Sequence, residues 1–425
     1  MSLSIPDSDK KRLVIIGGGF AGLKLASKLS GSIFQIVLID KNNYHQFQPL
    51  IYQVATSGLE PSSISFPLRK IFQGKENVCI RISEVTSIDS ETREVHTLIG
   101  SINYDYLVIA TGTNTNFFGM EHIREKSIPM KSVSEALSLR NTLLQNFEDA
   151  LSNPSEDEME GLMNVVIVGG GPTGVEISGT LAEMRRSVLP KDYPELDFSK
   201  MQIYLLEAGS KLLNGMSVRS SEKAAEYLEK LGVKIRLNAQ VSDFDGKTVF
   251  VLDRESIRTN TLVWAAGVIG NRIEGLPNDA YMRGNRLKVN RYNEIEGCDG
   301  IYVLGDLAYM KEDFYPNGHP QMAQPAIQQA KLLAENLIRI EKGDSPKPYS
   351  YHNKGAMATI GRNLAVVDLP FISFQGFFAW LVWMFVHLMA IVGVKNRLLI
   401  FINWFWNYVT YDQSLRLIIK PYKKD

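Results

Sequence analysis

Two glycine-rich segments carry the residue pattern of a dinucleotide-binding turn. Their glycines follow the spacing Gly-x-Gly-x-x-Gly, at Gly17, Gly19 and Gly22 and again at Gly169, Gly171 and Gly174. In such a turn the first glycine permits the bend, the second lets the backbone approach a pyrophosphate, and the third lets helix and strand pack closely. The amino terminus of the following helix offers N–H donors to the phosphates. Each segment is therefore predicted to bind one dinucleotide.

An acidic residue follows each turn at the end of the next predicted strand. Asp40 ends QIVLID and Glu207 ends QIYLLE. A carboxylate at this place accepts hydrogen bonds from ribose hydroxyls. Because Glu207 would repel a 2′-phosphate, it favours NADH over NADPH, although the nearby Lys211 leaves the preference open. The alternative is that both acids are ordinary surface residues at strand ends.

Two nucleotide turns in one chain predict two cofactors between which a hydride must pass. A resident FAD and an exchanging nicotinamide nucleotide are the usual division. We assign FAD to the first turn, because the chain returns to that domain through Gly305 and Asp306. Asp306 at a strand end can bind the ribityl chain of a flavin, and the next helix would direct its positive end at the ring.

The elements that must position these residues alternate between strand and helix. RLVIIGGG, AGLKLASKL and QIVLID have the pattern strand, helix, strand, which begins a parallel βαβ unit. The pattern restarts at residue 165, and LVWAAGV (262–268) repeats LVIATGT (107–113). These matched landmarks predict a duplicated unit. The predicted fold class is α/β, with two Rossmann-like dinucleotide-binding domains and a carboxyl-terminal membrane-associating helical region.

Three other segments have local signals. Ser132 and Glu135 form a predicted capping box that opens a helix over 132–151. The acidic, proline-containing segment 153–161 is predicted to be a linker. A helix is predicted over 323–340, with Pro325 in its first turn.

Composition excludes several functional classes. The 425 residues contain 46 Lys plus Arg and 46 Asp plus Glu, so there is no electrostatic footprint for nucleic acid. Cys79 and Cys298 are far apart in the sequence, which argues against a disulfide reductase, an iron–sulfur cluster or a zinc site, and no metal site is predicted. The first residues lack the pattern of a signal or transit peptide, so a cytosol-facing location is expected.

The carboxyl-terminal region differs from the rest of the chain. Residues 371–394 contain no Asp, Glu, Lys or Arg, a length that could span a bilayer. Gln375, Gly376 and His387 interrupt this apolar run, so we favour an anchor lying in the membrane interface over a spanning helix. Basic side chains that follow this segment and lie in the tail suit anionic lipid: Lys395, Arg397, Arg416, Lys420, Lys423 and Lys424. A buried helix pair or a dimer seam is the third interpretation.

Beyond these patterns, residues 47–72 and five motifs resemble one known family, the type II NADH:quinone oxidoreductases, which are NADH dehydrogenases that do not pump protons. The motifs are GGGPTGVEISGTLAE, WAAGV, VLGDLA, AQPAIQQ and GAMATIGR. The resemblance covers about residues 12–410. It implies a glutathione-reductase-like fold, FAD in the first domain, NADH in the second, and a membrane quinone as acceptor.

The resemblance also implies individual site residues. The FAD contacts would be Gly17, Gly19, Phe20, Ala21, Gly22, Asp40, Lys41, Val85, Thr111, Gly112, Asp306, Ala323 and Gln324. The nicotinamide nucleotide would contact Gly169, Gly171, Gly174, Glu207, Ala266 and Gly267. Gln324 and Gln328 resemble paired quinone-site glutamines and share a helix face. Glu176 would position NADH and influence proton movement, and Lys395 would reach the flavin or quinone pocket. Without the family, these glutamines and Glu176 are ordinary polar helix residues.

The predicted regions and function follow from both arguments. An FAD-binding domain is expected over 1–125 and 285–345, an NADH-binding domain over 160–284, and a membrane-anchoring, quinone-access region over 346–425. The predicted enzyme passes electrons from NADH through FAD to ubiquinone or menaquinone at the cytoplasmic face of a membrane, and a homodimer is left open. The rival functions are a soluble NAD(P)H:ferredoxin-type reductase and a non-enzymatic NADH sensor of the apoptosis-inducing-factor type. The cysteines disfavour a sulfide:quinone oxidoreductase.

Overall fold

The computed structural model describes residues 3–410 and 415–419, and every structural statement below concerns these residues. The strands, in chain order, are β1 (Arg12–Ile16), β2 (Gln35–Asp40), β3 (Tyr44–Gln46), β4 (Ser65–Pro67), β5 (Val78–Ile82), β6 (Val85–Asp89), β7 (Glu94–Thr97), β8 (Gly100–Asn103), β9 (Tyr106–Ile109), β10 (Thr113–Thr115), β11 (Ile128–Pro129), β12 (Val165–Val168), β13 (Ile203–Leu206), β14 (Val233–Arg236), β15 (Val241–Phe244), β16 (Thr248–Val251), β17 (Ile257–Arg258), β18 (Thr261–Trp264), β19 (Val268–Gly270), β20 (Tyr281–Met282), β21 (Arg286–Lys288), β22 (Ile301–Val303), β23 (Ala308–Tyr309), β24 (Ala356–Gly361), β25 (Leu364–Asp368) and β26 (Ser373–Gln375). The helices are α1 (Phe20–Leu29), α2 (Ile51–Ala55), α3 (Pro61–Ile64), α4 (Leu68–Ile71), α5 (Glu121–Lys126), α6 (Val133–Ala150), α7 (Glu156–Met163), α8 (Pro172–Ser187), α9 (Leu189–Asp192), α10 (Val218–Lys230), α11 (Ala323–Glu341), α12 (Phe377–Ala390) and α13 (Val394–Thr410).

The chain divides into two compact units, each assembled from three separate segments. The first unit comprises Met1–Gln46, Phe66–Asn114 and Val268–Asn353. The second unit comprises Phe47–Ser65, Thr115–Gly267 and Lys354–Asp425. Which nucleotide each predicted domain binds remains a prediction.

A five-stranded parallel sheet forms the centre of the first unit. Its order is β22-β9-β1-β2-β5. The strands β1 and β2 each contain a continuous run of apolar residues, because a parallel sheet is covered on both faces. Helices α1 and α11 pack together within this unit. Parallel strands place their carboxyl ends at one edge, where the Gly17 turn, Asp40 and the residues after β9 come together.

The second unit repeats this arrangement. Its parallel sheet has the order β11-β18-β12-β13-β14, with β12 at the centre and α8 following it. β12 therefore corresponds to β1, β13 to β2, and β18 to β9. The α/β class and the two Rossmann-like sheets are confirmed, and so is the internal duplication on which the prediction rested.

The carboxyl-terminal part of the second unit contains an antiparallel sheet and two helices. β24, β25 and β26 pair in order, and α12 packs against β25. The uncharged segment 371–394 contains β26 and α12, and α12 has 14 residues. None of the described helices is long and apolar enough to cross a membrane.

Two of the predicted helices are confirmed, and the predicted linker is wrong. Ser132 caps α6 through a capping box with Glu135, and α11 begins at Ala323. Within 153–161, however, Ser155 and Glu158 form a second capping box that opens α7. The three acids of its first turn stabilise the positive end of that helix, so a segment interpreted as acidic and irregular is helical.

The basic tail is only partly described. Arg416 forms an ion pair with Asp192. Lys420, Lys423 and Lys424 lie outside the described residues.

Candidate functional site

The first glycine turn connects β1 to α1 with almost no room for side chains. Gly17 has a φ of +101°, and a Cβ there would collide with the Ala110 carbonyl oxygen. A Cβ at Gly22 would collide with the Gly17 carbonyl oxygen. These glycines therefore hold the turn and the first turn of α1 tightly against the sheet.

Asp40 at the end of β2 stabilises the Gly17 turn through hydrogen bonds. Its Oδ2 accepts the Gly18 N–H at 2.6 Å, and its Oδ1 accepts the Asn42 N–H at 2.7 Å. Burial raises the pKa of Asp40, although both N–H groups and Lys41 oppose that shift. A carboxylate oxygen has two lone pairs, so each oxygen can still accept a bond from a ribose hydroxyl.

The surroundings of the turn fit an extended dinucleotide. A Cβ at Gly19 or Gly112 would meet no atom within 4 Å, so a ligand can approach the backbone at both positions. The Oγ1 atom of Thr111 is buried and has no hydrogen-bond partner among the described residues. A buried hydroxyl without a partner is costly, and a polar ligand atom would supply the missing bond. These features support an FAD site at this edge.

Asp306 returns to the same edge of the first unit. Thr113 Oγ1 donates to Asp306 Oδ2 at 3.2 Å, and Gln321 Nε2 donates to the Asp306 carbonyl oxygen at 3.2 Å. The backbone N–H of Gly305 donates to Gln329 Oε1 at 2.7 Å. Asp306 is therefore held from both sides.

Gln329 and His45 were not among the predicted site residues. Gln329 is buried and positions the turn that carries Asp306, whereas the prediction selected Gln324 and Gln328 because they share a helix face. His45 is also buried, and its Nδ1 donates to the Gly18 carbonyl oxygen at 2.9 Å. Burial lowers the pKa of His45, which keeps the ring neutral. The third glutamine of AQPAIQQ was the available signal for Gln329, and no local pattern indicated His45.

The other predicted residues of the first unit have these positions. Phe20 and Ala21 begin α1, and Phe20 contacts the edge of His45 with ring centroids 5.3 Å apart. Lys41 is exposed directly after β2, and Val85 begins β6. Ala323 and Gln324 form the start of α11.

Gln328 is already engaged by the chain. Its Nε2 donates to the His352 carbonyl oxygen at 2.9 Å, and its Oε1 accepts the His352 N–H at 3.1 Å. This two-point contact fixes the middle of α11 to the segment before β24. Gln328 therefore has a positioning role whatever else it contacts.

The second glycine turn repeats the first in detail. A Cβ at Gly169 would collide with the Ala265 carbonyl oxygen, and one at Gly174 with the Gly169 carbonyl oxygen. Gly171 caps α8, and a Cβ there would meet no atom within 4 Å. Ala266 and Gly267 follow β18 at the same edge. The unit can therefore accept a second dinucleotide in the same manner.

Glu207 is the counterpart of Asp40. Its Oε2 accepts the Gly170 N–H at 2.6 Å, and its Oε1 accepts the Gly209 N–H at 2.6 Å. The residue is half-exposed. The carboxylate of Glu207 would repel a second negative group brought to this place.

Glu176 lies in the first turns of α8 and is buried. Burial raises its pKa well above the usual value, and the backbone N–H of Thr359 only partly opposes that shift. Burial therefore favours the protonated form of this carboxyl group. By contrast, Lys395 is exposed in the first turn of α13.

Comparisons with known proteins agree on one family. The sequence profile of the pyridine nucleotide-disulphide oxidoreductase family matches residues 11–330, and that of the NDH2 C-terminal domain matches residues 353–410. The chain is 35% identical to the type II NADH:quinone oxidoreductase Ndh of Mycobacterium tuberculosis, over 93% of this chain and 87% of that protein.

Solved structures support the fold. NDH2 from Plasmodium falciparum in complex with NADH superimposes with a TM-score of 0.88 at 21% identity, covering 97% of this chain and 100% of that chain. The sulfide:quinone oxidoreductase of Aquifex aeolicus gives a TM-score of 0.71 at 20% identity, covering 89% of this chain and 90% of that chain.

Proposed function

Because the chain belongs to the type II NADH:quinone oxidoreductases, we propose that it transfers electrons from NADH through FAD to a membrane quinone without pumping protons. The observation that carries this proposal is the repeated nucleotide turn, Gly17 with Asp40 and Gly169 with Glu207. Two dinucleotide sites in one chain suit a reaction that passes a hydride from one nucleotide to the other.

The first turn is proposed to hold FAD, which when bound accepts the hydride of NADH and passes two electrons to a quinone. Asp40 would bind the adenosine ribose, and Thr111 and Asp306 would bind polar groups of the flavin half. The open backbone at Gly19 and Gly112 supports close approach of the ligand. The remaining predicted contacts within the first unit are proposed with these: Gly17, Phe20, Ala21, Gly22, Lys41, Val85, Ala323 and Gln324.

The second turn is proposed to hold NADH. Glu207 would bind the ribose hydroxyls and repel the phosphate of NADPH. Gly169, Gly171 and Gly174 would contact the pyrophosphate, with Ala266 and Gly267 beside the nicotinamide half. Glu176 would hold a proton close to this half of the site.

The quinone is proposed to bind beside the start of α11. The side-chain amides of Gln324 and Gln328 can hydrogen-bond a quinone carbonyl oxygen through their N–H groups. Gln328 also maintains its contact with His352, so its contribution is partly to hold the helix in place.

Steady-state oxidation of NADH by the purified protein tests the function. We expect fast oxidation with a short-chain quinone and little without it. An apoptosis-inducing-factor-type sensor would bind NADH but turn over quinone poorly. A ferredoxin-type reductase would reduce a ferredoxin in preference to the quinone, and that result would replace this proposal.

The exposed side of α12 and α13 supports attachment to a membrane surface. Large apolar side chains cover it, among them Phe378 (74% exposed), Phe385 (65%) and Phe405 (61%). The exposed Lys395 at the start of α13 would meet anionic headgroups. We propose that this apolar surface lies in the cytoplasmic leaflet of the membrane, and a homodimer seam is the alternative use of the same residues.

A further inference from the structure

Helix α8 carries two carboxyl groups along one face. Glu176 and Glu183 are separated by two helical turns, so their side chains project in the same direction. Each accepts a backbone N–H from the end of β24 or the turn after it, from Thr359 and Arg362 respectively. Between them, a Cβ at Gly179 would collide with the Ile360 carbonyl oxygen, so helix and strand touch directly. The two acids therefore lie on one continuous seam.

The two acids differ in their access to water. A cavity of about 500 Å³ within the second unit is lined by Glu183, Thr180 and Tyr52, whereas Glu176 does not line it. Thr180 lies one turn after Glu176, and its Oγ1 donates to the Glu176 carbonyl oxygen at 2.8 Å. The cavity thus reaches within one helical turn of the buried acid without exposing it.

The groups that face Glu183 come from each neighbouring element. Arg186 lies on the same helix, Arg362 follows β24, and Tyr52 belongs to α2. The Arg362 guanidinium also lies over the Tyr408 ring of α13, 4.1 Å from its centroid. Burial raises the pKa of Glu183 to about 7, although the two arginines oppose the shift. Near neutral pH, Glu183 therefore readily gains and loses a proton.

Tyr52 lies close enough to both acids to interact with them electrostatically. It is buried, and burial raises its pKa well above the usual value, with a further contribution from the neighbouring Glu176 and Glu183 carboxyl groups. Its hydroxyl stays protonated, and it accepts a hydrogen bond from Gln53 Nε2 at 2.9 Å. A neutral hydroxyl that accepts one bond can still donate its own proton.

We propose that Glu183 is the proton-uptake residue of the second unit, receiving protons from water in the cavity and resupplying Glu176 through the Tyr52 hydroxyl and cavity water. The proposal rests on the proposed function, in which NADH, one proton and a quinone give NAD⁺ and a quinol. One proton is thus taken from water in each turnover. In the first transfer, an O–H bond of hydronium breaks as the Glu183 O–H bond forms. In the second, the Glu183 O–H bond breaks as the Glu176 O–H bond forms. Neither transfer moves electrons between the groups. Glu183 acts through Glu176 and does not itself contact the substrate or the cofactor.

The test is Glu183→Gln, which can still accept the Arg362 N–H but carries no exchangeable acid proton. In rapid mixing, we expect flavin bleaching by NADH to keep its rate, whereas recovery of the flavin colour with a short-chain quinone slows by about tenfold at pH 8. Imidazole, whose protonated form has a pKa of about 6.5 as in a histidine side chain and which is small enough to enter the cavity, should restore part of the lost rate. The control Glu222→Gln removes an exposed acid of α10 and should change neither step.

The pH dependence of the quinone-reduction rate tests whether Glu183 is the titrating group. In the unaltered protein, the quinone step should slow as the pH rises through about 7, because Glu183 loses its proton there. Arg186→Gln removes a cation that favours the carboxylate, so the inflection should move to higher pH. This variant leaves the Arg362 contact intact and serves if Glu183→Gln does not fold. An inflection that stays in place would overturn the proposal.

Infrared titration gives a readout independent of turnover. The purified flavoprotein should show a carboxyl C=O band that disappears as the pH rises through about 7 and that is missing in Glu183→Gln. An unchanged band, or a variant that reduces quinone at the original rate at every pH, would refute the role of Glu183. If the unaltered protein fails to reduce quinone with NADH, the proposed function itself is wrong, and the infrared band still decides whether Glu183 titrates.

Discussion

At the scale of single residues, the two strand-end acids stabilise their glycine turns even without a bound ligand. Asp40 and Glu207 each bind a backbone N–H inside their own glycine turn, Gly18 and Gly170 respectively, at 2.6 Å in both cases. Charge-assisted bonds of this kind hold the turn in one conformation. The loop is thereby organised before a nucleotide arrives, which reduces the entropic cost of binding.

The first prediction concerns nucleotide choice. Glu207→Gln keeps one acceptor oxygen for the turn but removes the negative charge, so the preference for NADH over NADPH should fall by about tenfold, equivalent to about 1.4 kcal/mol. The ratio of kcat/KM for the two nucleotides measures it, with Glu222→Gln as the control. Equal kcat/KM values in the unaltered protein would remove Glu207 from this role.

The second prediction concerns retention of the flavin. Asp306→Ala removes the acceptor of the Thr113 hydroxyl and the proposed ligand of the flavin half, so the purified protein should contain little FAD. Absorbance of the bound flavin measures the occupancy. Asp299→Ala, an exposed acid of the same unit, should remain fully yellow. A yellow, active Asp306→Ala protein would restrict Asp306 to a structural role.

At the scale of elements, α8 depends on the absence of a side chain at its centre. Gly179→Ala should separate the helix from β24 and cost about 1–3 kcal/mol, as overpacking commonly does. Thermal unfolding measures the loss. Gly215→Ala is the control, because a Cβ there would meet no atom within 4 Å. Equal melting temperatures for the two variants would show that the seam adapts.

Helix α11 offers a test that separates electron input from electron output. Gln324→Met and Gln328→Met should both slow quinone reduction and leave rapid flavin reduction by NADH near its original rate. Gln328→Met also loses two hydrogen bonds to His352, each worth about 1 kcal/mol, so it should lower the melting temperature as well. Slower flavin reduction by NADH would instead assign these residues to the flavin's surroundings.

The sequence predicted the elements whose signals are local and failed where distant segments meet. Glycine spacing, strand-end acids and the Ser132 capping box depend on a few adjacent residues, and all are present. The Ser155 box was equally local and was missed, because its acidic surroundings suggested a linker. No short pattern could show that Gln329 reaches Gly305 or that Glu183 reaches Arg362, since each pair joins residues from different elements.

At the scale of the whole molecule, the carboxyl-terminal helices have one side that is hydrogen-bonded to the rest of the second unit and one side that is exposed. On the bonded side, Trp404 Nε1 donates to Gln53 Oε1 at 2.7 Å and Asn407 Nδ2 donates to the Gly58 carbonyl oxygen at 3.1 Å. On the other side, apolar side chains face outward. This arrangement suits attachment along a membrane surface.

The last prediction tests that surface. Replacing both Phe378 and Phe385 with Ser should weaken binding to vesicles of mixed neutral and anionic phospholipid by at least about tenfold, because two large apolar side chains no longer enter the lipid. Oxidation of NADH by a water-soluble quinone should be kept. Phe314→Ser, at a residue that is 90% exposed in the first unit, is the control. Unchanged vesicle binding with a loss of dimers would identify a subunit seam instead.

The bonds from Trp404 and Asn407 also affect when the protein can complete its folding. They join residues 351 and 349 positions apart in the sequence, to a segment that is translated early. At about 5–20 residues per second, a ribosome needs roughly 20 to 70 seconds to make the chain between them. During this time the segment 47–65 lacks its final partners and is open to chaperones and proteases. Helix α13 leaves the ribosome after this segment, so the side of α13 that carries Trp404 and Asn407 meets a partner that has already been made.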